Sequence, residues 1–441
     1  MKKIIAILVC KLVRLIGAAV GKGSSLPGRY ALKVCPDILK RVKLPKTVIA
    51  VTGSNGKTST VEMIASDLRE SGLKVAYNAE GSNQIEGVTT MILDNSTLSG
   101  KVKADVLLIE SDERYTKYTF KWFSPTYYII TNLYRDQLTR NGHPMWVYDA
   151  IKESIPDDTT LVLNADDPLV SMFGVGRENV LWFGVDHCNF DTDNFAGMYN
   201  DGAYCPVCQK AMKYEYYHYN HIGKYHCESC GFARHDTDYT VTDVNLDDGE
   251  IMINGEYKIQ LAFKSIYNIY NILAAFAACK LAGVKPESAA ALMCNYILKN
   301  GRFINFKLGE HSGVFLVSKH ENSISYDMSF RYVADSKDPC SIIIIVDAVS
   351  RKYFTSETSW LWDINFDLLS GRHIQNIYLC GKYCNDLAMR AEFSDINMDK
   401  VKIYESIDEA CVDIKENGNE DLFAVTCFSD KAKFISNVEI K

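Results

Sequence analysis

Short, fully apolar runs alternate with amphipathic stretches along the first half of the chain. The run "TVIAVTG" at 47–53 is typical of a buried strand, and "KTSTVEMIASDLRESG" at 57–72 has the period of a helix that stops at its final glycine. Further strand-like runs lie at 104–111, 126–133, 160–167 and 179–185. Alternation of this kind predicts a mostly parallel sheet covered by helices.

The pattern changes in the second half of the chain. Alternating residues at 238–263 predict antiparallel strands around a turn at 247–249, and 268–283 is helical with a glycine stop. Later apolar runs predict a second α/β unit, and they lie at 313–318, 341–348, 376–381 and 422–428. We therefore predict an α/β protein with an N-terminal helical segment at 1–45, a central domain at 46–300 and a smaller α/β domain at 301–441.

The first residues predict an amphipathic helix and not a membrane span. In "MKKIIAILVCKLVRLIGAAVGKG" the uninterrupted apolar run, 4–10, is far shorter than the roughly 20 residues that a spanning helix needs. Apolar residues recur at helical spacing at Ile5, Leu8, Val9, Leu12, Leu15 and Ile16. We expect this helix to pack on its own protein, and peripheral membrane contact through residues 1–20 is the alternative.

Composition narrows the class of protein. The 441 residues are 47% hydrophobic and 23% charged, which is typical of a folded enzyme of several domains. The net charge of -7 argues against a general nucleic-acid binder, so we expect no nucleic-acid partner. Most of the 14 cysteines are scattered singly, as reduced thiols are. We expect a cytoplasmic protein.

The stretch "VTGSNGKTST" predicts a phosphate-binding loop. It follows a strand and opens a helix, so successive backbone N–H groups and the helix N-terminus would face a phosphate. The candidate ATP-binding residues are Gly53, Ser54, Asn55, Gly56, Lys57, Thr58 and Ser59. Lys57 would reach the β- and γ-phosphates as a catalytic cation, and the Thr58 hydroxyl would bind Mg²⁺. The usual glycine five residues before Gly56 is Val51, so this is the shorter GxxGKT form.

Four cysteines predict a structural zinc site in an inserted ribbon at 203–233. The two CxxC pairs are separated by 18 residues, and they comprise Cys205, Cys208, Cys227 and Cys230. Four thiolates complete a tetrahedral Zn²⁺ and leave no position for water, so the site would be structural. The intervening tyrosines could stack bases, but the segment carries no strong basic footprint. Packing of a small ribbon is the preferred interpretation.

These motifs together resemble the Mur ligases of peptidoglycan synthesis and, more narrowly, the MurT-type subunit of lipid II isoglutaminyl synthase. Besides the phosphate loop and the ribbon, the resemblance is carried by "IESDE" (109–113), "TNLYRDQL" (131–138), "LNADDP" (163–168), "YNIYNILAA" (267–275) and "GR" (301–302). The resemblance implies a Mur-ligase-type central nucleotide-binding domain, in which an inserted four-cysteine zinc ribbon distinguishes the MurT type.

The resemblance also implies an activity. A ligase of this type uses ATP to convert a carboxylate into an acyl phosphate. An amine then displaces the phosphate. For the MurT type the acid is the α-carboxyl of D-glutamate in the lipid II stem peptide, and ammonia comes from a GatD-type glutaminase partner in a heterodimer. The same resemblance assigns Glu110 to Mg²⁺ beside Thr58, Asn268 to the adenine and Arg302 to the γ-phosphate.

The C-terminal part departs from the MurT pattern. A Lys-Asn-Pro-Ala-Gly stretch is replaced by "SKHENSIS" at 318–325, which keeps only Lys319. The family's Asp-x-Ser-Trp, whose Asp completes the glutaminase Cys-His pair, becomes Glu357 before Thr358-Ser359-Trp360. A glutamate still offers a carboxylate to orient a histidine, although it reaches one methylene further. Glu357 is thus a catalytic candidate, with a surface acid as the alternative.

Three functions therefore remain open from the sequence. The first is an active MurT-like ligase subunit. The second is a Mur-type ligase that joins another amine without a glutaminase, and the third is a non-catalytic scaffold with the same fold. The complete "GSNGKT" loop with Glu110 argues against the scaffold, and the ribbon with "RDQL" favours the MurT branch.

Overall fold

The computed structural model describes residues 1–19, 23–78, 82–297, 303–336, 338–349, 356–418 and 421–440. The chain divides into two compact units. Unit 1 comprises Met1–Leu133, Pro144–Ala196 and Asn200–Leu298, and unit 2 comprises Tyr134–His143, Gly197–Tyr199 and Lys299–Lys441. Two short segments, 134–143 and 197–199, thus belong to unit 2 although their sequence neighbours belong to unit 1. The domain bounds expected from the sequence stay a prediction.

The strands of the described residues are β1 (Thr47–Thr52), β2 (Val75–Tyr77), β3 (Val106–Glu110), β4 (Tyr127–Ile130), β5 (Thr160–Asn164), β6 (Val180–Val185), β7 (Lys213–Tyr219), β8 (Ile222–His226), β9 (Tyr239–Asn245), β10 (Glu250–Ile253), β11 (Tyr257–Gln260), β12 (Phe303–Leu308), β13 (His311–Ser318), β14 (Cys340–Ile345), β15 (Ile374–Cys380), β16 (Val401–Tyr404), β17 (Asp421–Cys427) and β18 (Glu439–Ile440).

The α-helices of the same residues are α1 (Lys2–Ala19), α2 (Leu26–Val34), α3 (Ile38–Arg41), α4 (Lys57–Glu70), α5 (Ile85–Asp94), α6 (Thr116–Thr119), α7 (Leu138–Asn141), α8 (Pro144–Lys152), α9 (Pro168–Ser171), α10 (Ile266–Leu281), α11 (Pro286–Met293), α12 (Ser323–Ala334), α13 (Cys384–Glu392), α14 (Ile407–Asn417) and α15 (Lys431–Ile435). Every strand-like run named from the sequence overlaps a strand, and the helix expected at 268–283 begins two residues earlier.

Unit 1 is built on one mixed sheet. Within the described residues its strand order is β11-β10-β9-β6-β5-β4-β1-β3-β2. The strands from β1 to β6 pair in parallel and are almost wholly apolar, as expected for strands covered on both faces. Strand β1 lies between β3 and β4, and the ladder pairs Val51 with Glu110 and Thr52 with Ile130. The segments that follow these three strands therefore meet at one edge of the sheet.

Helix α1 forms as predicted, but it packs through a different face from the one expected. Its buried side includes Gly17 and the residues Ala6, Ile7 and Cys10, and the last three join the core beneath α2 and α5. Of the predicted apolar face, Val9 is half-buried and the rest is exposed, namely Ile5, Leu8, Leu12, Leu15 and Ile16. The small Ala6 and Cys10 allow close helix packing, which periodicity of large apolar residues does not reveal. No described helix is long and apolar enough to cross a membrane.

A small antiparallel hairpin, β7 with β8, lies between β6 and β9 in the sequence and carries the two cysteine pairs at its base. Cys205, Tyr225 and Cys227 are buried together as a separate small core. The segment thus has a small core of its own, and its identity as a zinc ribbon with the bounds 203–233 stays a prediction.

Unit 2 has a second sheet of the order β16-β15-β14-β17-β13-β12-β18 among the described residues. The five strands from β16 to β13 are parallel, and at the other end β12 pairs antiparallel with both β13 and β18. The run "CSIIII" of β14 is fully buried at the centre of this sheet. The second α/β unit expected from the sequence is therefore present.

Candidate active site

The loop between β1 and α4 has a backbone that only glycine can follow. Gly53 has φ +134° and Gly56 has φ +85°. A Cβ on Gly53 would lie 2.2 Å from the Thr131 Oγ1, and one on Gly56 would lie 2.1 Å from the Asn271 Oδ1. The tight turn leaves backbone N–H groups at the start of α4, where the helix dipole favours an anion. The loop therefore fits a phosphate chain.

Lys57 is the first residue of α4 and its side chain is buried within the loop. Its Nζ donates to the Gly53 carbonyl oxygen and forms an ion pair with the Glu113 carboxylate. The positive charge is therefore held over the loop by a buried counter-ion. Thr58 is exposed at the helix start and Ser59 is half-exposed, so both hydroxyls lie where a ligand can reach them.

The residues after β4 hold the phosphate loop in place through hydrogen bonds. Asn132 Oδ1 accepts from the Asn55 N–H at 2.8 Å, and Asn132 Nδ2 donates to the Asn55 carbonyl at 3.1 Å. The Thr131 hydroxyl donates to the same carbonyl at 2.8 Å. Neither Asn132 nor Thr131 was predicted from the sequence to be a site residue. Their position directly after the strand next to β1 is the signal that could have found them.

Glu110 is the last residue of β3 and is buried at the same end of the sheet as the phosphate loop. Asn83 Nδ2 donates to the Glu110 Oε1 at 3.2 Å. Asn78 exchanges two hydrogen bonds with the Glu110 backbone, at 2.8 and 2.9 Å, which fixes the strand end. A carboxylate and a hydroxyl at this edge are the oxygen ligands that Mg²⁺ prefers, so Glu110 and Thr58 fit the ion.

Helix α10 contributes an asparagine next to the loop, but it is not the one chosen from the sequence. Asn271 Oδ1 accepts from the Thr60 hydroxyl at 3.5 Å and lies against Gly56. Asn268, one turn earlier, donates from Nδ2 to the Phe263 carbonyl at 3.2 Å. Its role near an adenine stays a prediction. Arg302 and Gly301 lie outside the described residues.

The four cysteines of the ribbon converge. The Sγ atoms of Cys205 and Cys230 are 3.6 Å apart, and those of Cys208 and Cys227 are 3.5 Å apart. All four lie within 4.8 Å of one another. A tetrahedron with Zn–S bonds of about 2.3 Å has edges of roughly 3.8 Å, so this donor set fits one zinc ion.

A second group of possible ligands, Cys188, Asp191 and His218, is buried near the hairpin. His218 Nδ1 lies 2.6 Å from Asp191 Oδ1, and His218 Nε2 lies 3.1 Å from the Val185 carbonyl oxygen. Both ring nitrogens therefore have hydrogen-bond partners within the protein. These hydrogen bonds connect the hairpin to β6 and to the segment that follows it. A metal ion bound to His218 would have to displace one of them.

In unit 2, Glu357 is exposed and its Oε1 accepts from the Ser359 N–H at 2.8 Å. Hydrogen bonds from Ser359 hold the pKa of Glu357 below its ordinary value, so the carboxylate is charged at neutral pH. Trp360, three residues on, is buried and anchors the segment.

Lys319 also belongs to unit 2, and it forms an ion pair with Asp136 of the segment 134–143. Asn322 Nδ2 donates to the other oxygen of Asp136 at 2.9 Å. The retained lysine of "SKHENSIS" and the aspartate of "RDQL" are therefore direct partners, which the sequence did not indicate.

Comparison with protein families matches two different models to this chain. Residues 51–228 match the Mur ligase middle domain, and residues 320–430 match the MurT ligase C-terminal domain. The first range contains the phosphate loop and three of the four ribbon cysteines, with Cys230 just beyond its end, and the second range contains Glu357.

Known proteins are similar over nearly the whole chain. A lipid II isoglutaminyl synthase (glutamine-hydrolyzing) subunit MurT from Staphylococcus aureus is 28% identical over 401 residues, which are 90% of this chain and 89% of that protein. The subunit of the same name from Streptococcus pneumoniae is 27% identical over 424 residues, 94% of this chain and 92% of that protein.

Solved structures show the same fold at lower identity. A pseudomurein peptide ligase type C from Methanothermus fervidus has a TM-score of 0.70 at 22% identity and covers 90% of this chain and 79% of its own. A MurF ligase from Thermotoga maritima in complex with ADP has a TM-score of 0.59 at 14% identity, with 93% and 83% covered. The chain thus has a Mur-ligase-type α/β fold, with a Mur ligase middle domain and a MurT ligase C-terminal domain, and MurT subunits are its homologues.

Proposed function

We propose that this chain is the ATP-dependent ligase subunit that amidates the α-carboxyl of D-glutamate in the lipid II stem peptide, giving D-isoglutamine. The observation that carries the proposal is a complete phosphate loop, with Lys57 and Glu110 in place, in a chain whose C-terminal part matches the MurT ligase domain. The relatives named as MurT subunits supply the substrate and the reaction.

In this proposal the loop amides and Lys57 stabilise negative charge on the phosphoryl group that passes from ATP to the substrate carboxylate. Thr58 and Glu110 would hold Mg²⁺, which supplies further positive charge when bound. Ammonia then attacks the carbonyl carbon of the resulting acyl phosphate, so that a C–N bond forms, the C–O bond to phosphate breaks, and inorganic phosphate and a proton are released. Asn268 near the adenine and Arg302 near the γ-phosphate belong to the same proposal.

The inserted ribbon is proposed to hold one structural zinc through Cys205, Cys208, Cys227 and Cys230. Support comes from Sγ separations that match a tetrahedral site and from the closed donor set. A hairpin this small buries few apolar side chains, so a metal would supply much of its stability.

Ammonia is proposed to come from a GatD-type glutaminase that forms a heterodimer with this chain. The relatives are named as glutamine-hydrolyzing subunits, which implies a second component. Glu357 is proposed to orient the catalytic histidine of that partner. We place the complex in the cytoplasm, with residues 1–20 near the inner face of the membrane, where a lipid-linked substrate would lie.

The proposal is tested by incubating the purified chain with lipid II, ATP, Mg²⁺ and ammonium chloride. We expect ADP and lipid II with one carboxyl converted to carboxamide, seen by mass spectrometry. Lys57→Met keeps a side chain of similar length but removes its positive charge, and it should lower turnover by about a hundredfold or more. Lys74→Met, an exposed lysine of unit 1, is the matched control and should leave turnover unchanged. A product that carries an amino acid would favour the other Mur-type ligase, and absence of any ATP turnover would favour the scaffold.

A further inference from the structure

We propose that the exposed face of α1 docks on the surface of an anionic lipid bilayer, with the helix lying in the plane of the membrane. The face, which we call the α1 apolar face, consists of Ile4, Ile5, Leu8, Leu12, Leu15 and Ile16. The side chains of these six residues are between 44% and 75% exposed, although all of them are large and aliphatic. Such an exposed patch on a folded protein marks a binding surface.

The α1 apolar face is continuous and cannot turn inward. At 3.6 residues per turn its six positions project within about 120° of the helix circumference. The opposite side of α1 is already used, because Ala6, Ile7 and Cys10 are fully buried against the rest of unit 1. Lys11 donates to the Asp94 carbonyl oxygen at 2.5 Å, which fixes the rotation of the helix on α5.

The charge around this face favours an anionic bilayer over a second copy of the chain as the binding partner. The first 46 residues contain eleven Lys or Arg and one Asp, a net charge of +10, whereas the whole chain carries -7 and the remainder therefore -17. Lys2 and Lys11 lie at the two borders of the apolar face, and Arg14 is 3.9 Å from the carboxylate of Asp94. A second copy of this chain would bring the same excess of positive charge to the contact. A bilayer with anionic headgroups brings the opposite charge together with an apolar interior.

The helix is suited to lie on the bilayer and not to cross it. It has 18 residues, and its sequence includes Lys2, Lys3, Lys11 and Arg14. An amphipathic helix with a broad aliphatic face and basic borders inserts that face to the level of the acyl chains while its cations stay at the headgroups. The proposed function explains only why membrane binding would be useful, since a ligase must be at the membrane to reach lipid II. The binding itself is inferred from the residues of α1.

The experiment is co-sedimentation of the full chain with vesicles of phosphatidylcholine alone and of phosphatidylcholine with phosphatidylglycerol at three to one. Neither vesicle contains lipid II, so the result does not depend on the enzymatic activity. We expect the chain to sediment with the anionic vesicles, and binding to fall at least fivefold in 0.5 M salt because surface charges are then screened. Neutral vesicles should bind at least fivefold less protein.

Leu12→Gln with Leu15→Gln removes two of the most exposed members of the α1 apolar face and should lower binding to anionic vesicles tenfold or more. Both side chains point away from the protein, so the variant should keep its circular dichroism and thermal midpoint. Met389→Gln, an exposed residue on α13, is the control and should bind as the unchanged chain does. Equal sedimentation of the double variant, or no sedimentation of the unchanged chain, overturns the proposal. A dimer that the double variant dissociates, without vesicle binding, would overturn it in favour of a second copy.

Discussion

At the scale of the residue, the charge of Lys57 is balanced before any nucleotide arrives. Its ammonium group is buried with the Glu113 carboxylate, and a buried ion pair is stable only when both groups are also hydrogen-bonded. Lys57 meets that condition through the Gly53 carbonyl. A triphosphate brings further negative charge close to Glu113, so the lysine must be shared between the acid and the phosphates, and Mg²⁺ at Glu110 would offset the remaining repulsion.

Glu357 is the residue whose role is least constrained by the fold. If its carboxylate orients the histidine of a glutaminase partner, Glu357→Gln removes the charge and keeps the size, so glutamine-driven amidation in the reconstituted pair should fall by about a hundredfold. Ammonia-driven amidation should persist because the phosphate loop is unchanged. The measurement is the ratio of the two rates, with Glu392→Gln, another exposed glutamate of unit 2, as the control.

Glu357→Asp sharpens this prediction, because it keeps the charge and shortens the reach by one methylene. Partial retention of the glutamine-driven rate would agree with an orienting carboxylate. An unaltered ratio in Glu357→Gln would make Glu357 a surface acid, since its hydrogen bond with the Ser359 N–H needs no partner protein.

Residues that act through contiguous sequence could be predicted, whereas those that act through neighbouring strands could not. The loop from Gly53 to Ser59 could be named from the sequence because its residues are contiguous, and its role in binding ATP stays a prediction. Asn132 and Glu113 reach the same loop from the ends of other strands, and Asn271 reaches it from α10, so they needed the strand order. The resemblance to the MurT type assigned a different asparagine of the same helix, Asn268, and its role near the adenine stays a prediction.

At the scale of the element, the ribbon is an insertion fastened to the sheet by a few polar contacts. The Gly223 N–H of the ribbon donates to the Asp166 carbonyl oxygen at 3.0 Å, and the Tyr270 hydroxyl of α10 donates to the Asp166 Oδ2 at 2.6 Å. Tyr270 precedes Asn271, which lies against the phosphate loop. The ribbon therefore supports the helix that borders the site, without contributing a group to the chemistry.

We predict one equivalent of zinc in freshly purified, reduced protein. Cys208→Ser removes one thiolate, so zinc content should fall and the thermal midpoint should drop by roughly 5 °C or more. Metal analysis and calorimetry measure the two effects. Cys294→Ser, which alters a half-buried cysteine outside both candidate ligand groups, should change neither. Less than half an equivalent of zinc in the unchanged protein would contradict a closed four-thiolate site.

Helix α1 shows why the existence of an element is easier to predict than its orientation. The aliphatic spacing correctly predicted a helix, and the same spacing suggested that the large residues would face the core. The core instead takes the side that carries Ala6, Ile7 and Cys10, where the small Ala6 and Cys10 let α1 approach α2 and α5 closely. Which face a protein covers depends on the shape of its neighbours, and one sequence segment does not contain that information.

At the scale of the whole molecule, the two units carry different candidate site residues and match different family models. Unit 1 holds the phosphate loop, the acidic strand end and the ribbon, and most of the range that matches the Mur ligase middle domain, 51–228, lies in it. Unit 2 holds Lys319, Asp136 and Glu357, and its later residues match the MurT ligase C-terminal domain. The order of α/β elements was predictable from alternating patterns. The assignment of 134–143 and 197–199 to unit 2 was not, because those segments have no pattern of their own.

The central claim is that this chain places ammonia, released from glutamine by a partner, on a carboxyl of lipid II at the expense of ATP. The most direct measurement supplies the reconstituted pair with glutamine labelled by nitrogen-15 in its side-chain amide, together with ATP, Mg²⁺ and lipid II. We predict that the label enters one carboxamide, at the α-carboxyl of D-glutamate, with one ADP released for each amide formed. ATP turnover that leaves lipid II unlabelled, or a product that carries a whole amino acid, would contradict it.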